Sequence, residues 1–298
     1  MTLKDLAKDM GAYQERMRRK SKARFRRYLE TQAKKYDLEY QVSKSKLAKN
    51  VIIGNIETAD YVIGAHYDTP PRLPAFIANN ILLTNIALMV IIPTMIIFSL
   101  FVYNIALPAM IIYFLTLLYL LGFLSIPNKK NYNDNTSGVL VLLYLMSILR
   151  NEKAAYVFFD NEEKGLIGSF SFLSFLNKKN LKPRRKKFIV LDCVGRGELI
   201  RFTYFKDNNL PRELHKVADN GARGEYRFEV KKSSLLEMSD HVAFMHHSHV
   251  GVFAYEEKGK KHRIRNIHSA KDKYFNIENI AIIARVIYNY ISKEEYYE

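Results

Sequence analysis

Ala154-Ala-Tyr-Val-Phe-Phe-Asp160, followed at once by Asn161-Glu-Glu-Lys-Gly165, reads as an apolar strand running into a cluster of acids. Working outward, Gly165–Asn177 has helical periodicity, and Phe188–Val194 and Leu199–Phe205 read as strands. Pro211–Gly221 is helical, with proline in its first turn. Ser239–His246 reads as a short helix, Val250–Tyr255 as a strand and Ile277–Ser292 as the closing helix. Upstream, Ser137–Arg150 reads as an apolar helix; Val51–Ile56 and Tyr61–His66 read as strands with a turn at Glu57–Asp60. Strands alternating with helices predict an α/β fold whose mostly parallel sheet is covered on both faces. Sites in such sheets lie at the carboxyl ends of the strands. His66, Asn161-Glu162-Glu163 and Asp192 fall there.

A chain of 298 residues, 48% of them apolar, can bury a sizeable core in one large α/β domain or two small ones. The net charge of +16 points to an anionic partner. The lone Cys193 allows no intramolecular disulfide and fits a core position in a reducing compartment. Met1-Thr-Leu-Lys-Asp-Leu6 does not read as a secretory signal. Residues 3–36 are predicted as one amphipathic helix, with Leu6, Met10, Tyr13 and Met17 on its apolar stripe. Its cations, Arg16, Lys22 and Arg26 among them, read as a solvated face or a face laid against anionic lipid. Nucleic acid is not expected, because no module that reads it follows. Lys182–Lys187 and Lys258–Arg263 read as solvated basic loops that could rest on a membrane, and His246, His247 and His249 as surface or helix-end residues.

From Leu73 to Asn128 the chain carries no Asp, Glu, Lys or Arg. Residues 81–103 and 105–126 each suit a helix crossing about 30 Å of hydrocarbon. A two-helix transmembrane hairpin inserted at 73–128 is therefore expected, between 1–72 and 129–298, which together form the α/β domain. Arg72, Lys129 and Lys130 flank it, so both termini and that domain are expected to face the cytoplasm as part of a multi-pass membrane protein. The apolar hairpin could also pack against copies of itself as a homo-oligomer.

Asp134, within Asn131-Tyr-Asn-Asp-Asn-Thr-Ser-Gly138, joins His66, Glu162, Glu163, Asp192 and His268 as a set of acids and imidazoles. Such donors suit zinc, with manganese or cobalt as alternatives. Several carboxylates in one cleft repel each other unless cations neutralise them, and two metals do so. Of two adjacent glutamates, one can bind metal while the other carries a proton. Asp68, two residues beyond His66 on an extended chain, faces the same way and can orient its ring. Glu162-Glu163 could instead be an exposed helix start. Asp192 in an apolar strand needs a partner for its charge.

The series His66-Tyr-Asp68, Asn133–Gly138, Asp160–Ser169, Val190–Asp192, Ser239–Phe244 and Ile267–Asp272 resembles the dizinc aminopeptidases of metallopeptidase family 28, clan MH. Six short motifs in this order cover residues 50–72 and 130–292. The resemblance implies a three-layer α/β/α, zinc-exopeptidase-like (phosphorylase/hydrolase-like) fold and two divalent ions, chiefly zinc. It implies that His66 and Asp192 bind one metal, Glu163 and His268 the other, and that Asp134 bridges them. Glu162 becomes the general acid/base, Asp68 the residue orienting His66, and a peptide the substrate. It also implies a cis peptide after Asp134. Ser239-Asp240-His241 lies near the cleft without being a ligand set. The alternatives are an inactive membrane scaffold, a carboxypeptidase or a glutaminyl-cyclase-like zinc enzyme.

Overall fold

The computed structural model describes residues 2–79, 126–149, 153–221, 226–234, 239–259 and 261–294, with isolated positions between 94 and 115. Helix α1 (Leu3–Met10) starts on a capping box in which Thr2 and Asp5 satisfy each other's backbone N–H groups. Helix α2 (Arg19–Lys35) follows, then strands β1 (Tyr40–Lys44), β2 (Lys49–Ile53) and β3 (Tyr61–His66), and the short α3 (Ala75–Ala78). After the insert come α4 (Gly138–Ile148), β4 (Ala154–Phe159), α5 (Ile167–Lys178), β5 (Lys187–Leu191) and β6 (Leu199–Tyr204). The chain closes through α6 (Asn209–Gly221), β7 (Arg227–Lys232), β8 (His249–Lys258), β9 (Lys261–Arg263) and α7 (Ile277–Glu294).

The single helix expected over 3–36 is thus two helices. A 3-10 turn at Gly11–Tyr13 and a non-helical stretch, Gln14–Met17, separate them. Glu15 stops the first helix from continuing into the second: its carboxylate accepts from the N–H groups of Met17 and Arg18 at 3.0 and 3.1 Å, and from Ser21 Oγ at 3.1 Å. It thereby fixes the turn that leads into α2, outside the helix's own first N–H groups.

The sheet runs β1-β2-β4-β3-β5-β8-β6-β7, with β9 paired to β8. Its centre, β4-β3-β5-β8, is parallel, as the alternating pattern predicts. Its flanks are mixed: β1–β2, β2–β4 and β6–β8 are antiparallel, so the sheet is less uniformly parallel than expected. β1, β7 and β9 escaped the sequence reading because they are edge strands with few apolar residues: Tyr40 and Val42 in β1 and Phe228 and Val230 in β7 alternate and pack on the core, but each run is only two residues strong, and β9 has none. Lys258–Arg263, expected as a solvated loop, is the β8–β9 hairpin.

Alternate side chains of each central strand enter different layers. Ile63, Ile189 and Leu191 pack under α1, α4, α6 and α7; Val62, Phe188 and Val190 pack under α5 and the Asp240–Phe244 turn. α4 is apolar all round and almost wholly buried, which is what a helix between the sheet and other helices requires. Each such Leu contributes about 1.5–3 kcal/mol by leaving water.

The hairpin expected at 81–103 and 105–126 lies outside the described residues, apart from isolated positions. Among the described residues no helix is long and apolar enough to cross a membrane. Leu107, Met110, Ile111, Ile112, Phe114 and Leu115 are described, are helical, and are each at least 49% exposed. The two ends of the insert are tied together. Pro71 bridges Pro127, Arg72 N–H donates to the Ile126 carbonyl at 2.8 Å, and Asn128 N–H to that of Pro70 at 3.3 Å.

Candidate metal centre

Strand register assembles the centre. His66 ends β3 opposite Phe159, the last residue of β4, so the Asp160–Lys164 turn emerges beside it. On the other side Gly64 pairs Val190, which two residues on sets His66 beside Asp192. Three of the loops around the centre turn through left-handed backbone, at Asn161 (φ 58°), Cys193 (φ 52°) and His268 (φ 57°). Such residues cost about 1–3 kcal/mol each and gather at functional sites.

Asp134 stands between two groups of donors. Its Oδ1 lies 3.3 Å from His66 Nε2, which is also 3.5 Å from Asp192 Oδ1. Its Oδ2 lies 3.0 Å from His268 Nε2 across the cleft, itself 3.4 Å from Glu163 Oε2. The groups His66–Asp134–Asp192 and Asp134–Glu163–His268 each bring their donor atoms within 4.8 Å of one another, as does His66–Glu162–Glu163. His66 Nε2, Asp192 Oδ1 and Glu163 Oε1 are buried and make no hydrogen bond among the described residues. Buried donors without hydrogen-bond partners, drawn from imidazole and carboxylate, fit divalent cations of the zinc class.

Electrostatics point the same way. Burial pushes the Glu162 carboxyl well above its usual range, and Asp240, Asp192 and Asp68 add to this against His66. Burial likewise raises Glu163, helped by Asp134 and Glu162. Burial alone would depress His66, but Glu162, Asp134, Asp192 and Asp68 outweigh it and raise it well above its usual value. So many acids in one buried space favour bound cations.

The Asp134 and Asp192 loops, His66 and the Glu162–Glu163 turn are braced. Asp272 accepts from the N–H groups of Asn133 and Asp134 at 2.9 and 3.0 Å. Asn135 Nδ2 donates to the Leu191 carbonyl at 2.8 Å, Gly195 N–H donates to Asn133 Oδ1 at 2.8 Å, and Val194 N–H to Ser137 Oγ at 3.1 Å, lacing the Asp134 loop to the Asp192 loop. Gly138 is obligatory there, because a Cβ would sit 2.5 Å from Asn135 Oδ1 and 2.9 Å from the Leu191 carbonyl. The Asp134–Asn135 peptide is cis, as the resemblance implies. His66 Nδ1 is 3.2 Å from the Asp68 carbonyl and 3.7 Å from its carboxylate. That carboxylate instead accepts from the N–H groups of Glu162 and Glu163 at 3.0 and 3.3 Å.

Several cations read as solvated or lipid-facing turn inward. Arg16 is fully buried and donates to the carbonyls of Tyr67 and Tyr13 and to Thr136 Oγ1. Burial, opposed by Asp68 and Asp134, leaves its guanidinium lowered to about 10, so it stays charged behind the acids. Lys22 Nζ pairs with Asp160 at 2.6 Å and donates to Asn161 Oδ1; Arg26 donates to Tyr67 Oη at 2.8 Å. Lys186 also turns in, donating to the Ile56 and Ala59 carbonyls. An amphipathic pattern hides this, since a buried cation paired in three dimensions is identical in sequence to a solvated one. His249 is buried and stacks on Phe205, whereas His246 is exposed and His247 half-buried. Cys193 is buried, as expected. Asp272 and Asp240 were missed as site residues. Both lie in quoted motifs, and Asp240 has both carboxylate oxygens buried without a hydrogen-bond partner among the described residues.

Residues 125–291 match peptidase family M28. The chain belongs to that family. It is 30% identical over 127 residues to aminopeptidase YwaD of Bacillus subtilis (strain 168), a match spanning 40% of this chain and 27% of that relative's length. Its fold is shared with a Zn-dependent exopeptidase from Parabacteroides distasonis (TM-score 0.66, 14% identity, 97% of this chain and 96% of that one). It is shared equally with the glutaminyl cyclase of Porphyromonas gingivalis (TM-score 0.66, 17% identity, 98% and 97%). The LapA aminopeptidase of Legionella pneumophila gives 0.64 at 14% identity, over 97% and 69%.

Proposed function

We propose that this M28 member is a membrane-anchored aminopeptidase with two divalent ions, chiefly zinc, removing N-terminal residues from peptides. The observation that carries the reading is the division of Asp134, one oxygen toward His66 and Asp192, the other toward His268 and Glu163. His66 and Asp192 would hold one ion, Glu163 and His268 the other, with Asp134 common to both. Ions held there would lower the pKa of a water and polarise the scissile carbonyl. Glu162 takes the proton from the attacking water and delivers it to the leaving amine. Asp68 holds the Glu162–Glu163 turn through two backbone N–H groups and His66 through its own carbonyl.

Anchoring rests on the uncharged run from Leu73 to Asn128 and on the exposed apolar side chains between 107 and 115. Arg72, Lys129 and Lys130 favour the cytoplasmic side for the catalytic residues. The neck of the insert touches the His268 loop: Leu73 N–H donates to the His268 carbonyl at 2.8 Å, and Asn128 Nδ2 to that of Ser269 at 3.0 Å. A centre joined to the insert in this way suits peptides presented at the bilayer.

The test is metal content with hydrolysis of a panel of aminoacyl-nitroanilides, on wild type and Glu162→Gln. About two zinc-class ions per chain, and activity lost in the variant while metal is kept, is the expected result. No bound metal after reconstitution would sink the reading. The shared fold of the cyclases makes cyclisation of an N-terminal glutaminyl peptide the second reaction to assay.

A further inference from the structure

A second concavity borders the Glu162 turn. It encloses about 420 Å³ between α2, the β1–β2 tip and the Asp160–Lys164 turn. Arg19, Lys22, Arg26, Lys46, Lys49 and Lys164 line it, and among the described residues that line it Asp160 is the one acid. Asp160 is already engaged, by Lys22 Nζ at 2.6 Å and by the Lys49 N–H at 2.9 Å. The lining thus carries far more positive than negative charge. Converging like charges repel, and a ligand bearing several anionic oxygens turns that cost into attraction.

The tip is built rather than loose. Ser45 N–H donates to the Ala48 carbonyl at 2.8 Å, Ala48 N–H to Ser45 Oγ at 2.9 Å, and Asn161 Nδ2 to the Leu47 carbonyl. It presents Leu47, 66% exposed, between Lys46 and Lys49. An exposed apolar side chain among cations is matched by a surface that is apolar below and anionic above. Val51 pairs Phe158, so the tip stands at the carboxyl end of β4, the edge of the sheet that β3 also reaches before the apolar insert begins.

We propose that this pocket binds phosphate groups, supplied by the headgroup of an anionic phospholipid at the membrane surface. None of the metal-centre residues lines it, so phosphate binding here stands or falls apart from the peptidase reading. The test uses the full chain in neutral detergent, titrated with phosphatidylglycerol or phosphatidylcholine in mixed micelles and, separately, with inorganic pyrophosphate. Saturable, salt-sensitive binding of phosphatidylglycerol over phosphatidylcholine is expected. It should weaken about tenfold or more in the Arg19→Glu, Lys46→Glu, Lys49→Glu triple variant. Leu47→Ser should weaken phosphatidylglycerol binding and leave pyrophosphate binding unchanged. Metal content and thermal melting serve as folding controls, with Lys46→Glu alone, at an exposed position, as the milder variant. Pyrophosphate binding without phosphatidylglycerol binding, lost in the triple variant, overturns the lipid source and assigns a soluble phosphate ligand. Failure of wild type to bind either, or equal binding by the variants, overturns the proposal.

Discussion

Asp134 carries two oxygens that face opposite ways, and the residues behind it matter as much as those in front. Asp68 illustrates this. Its carboxylate accepts two N–H groups from the turn that carries Glu162 and Glu163. An amide there keeps one acceptor and turns a donor toward a donor. Asp68→Asn should lower kcat by about 10–100-fold with metal content retained, measured on aminoacyl-nitroanilides beside metal analysis. His241 acts on stability instead. Burial, with His249 nearby, brings its imidazole down to about 3, and its Nε2 lies 3.1 Å from Ser233 Oγ. The folded state therefore keeps it neutral where the unfolded chain takes up a proton. This contribution is intact above the unfolded value and is lost as pH falls toward the folded one. Between about pH 6.5 and 5 the loss amounts to about 2 kcal/mol of stability. Urea unfolding at about pH 7.5 and 5 should show a smaller pH difference for His241→Gln than for wild type.

At the scale of elements, the stretch between α1 and α2, with the first turn of α2, holds the floor of the centre. Gln14 accepts from Asn131 N–H at 3.1 Å, Arg16 N–H donates to Thr69 Oγ1 at 3.0 Å, and Lys22 pins the Asp160–Asn161 turn. Three loops that carry site acids thus meet one segment. Arg16→Met leaves the Tyr67 and Tyr13 carbonyls without their donor and removes the charge facing Asp68 and Asp134. The expected loss is about 3 kcal/mol or more, read by urea unfolding, with Arg16→Lys recovering part of it.

For the whole molecule, crowded buried acids make folding and metal loading one equilibrium. Ions that bind only the folded chain stabilise it by about 2.7 kcal/mol at one hundred times their dissociation constant. Chelation should therefore lower the melting temperature, and zinc should restore it, followed by differential scanning fluorimetry. If chelation removes the ions and leaves the melting curve unmoved, the donors do not form a buried metal site.

The periodicity of α4 and α7, the central strands and the order of six motifs were legible in the sequence, because local patterns and residue types carry them. So were His66, Asp134, Glu162, Glu163, Asp192 and His268 as candidates, with the family match covering all but His66. Their juxtaposition was not. It comes from the parallel register that sets His66 beside Asp192 and the Glu162 turn, a pairing between residues far apart along the chain. The edge strands β1, β7 and β9 were hidden because they carry at most two apolar residues each, too few to set a period. Arg16, Lys22 and Arg26 were hidden because charge alone does not tell which way a side chain points. Only the packing of the N-terminal segment against the carboxyl ends of the strands decides that Arg16 and Lys22 offset buried acids, and that Arg26 meets Tyr67.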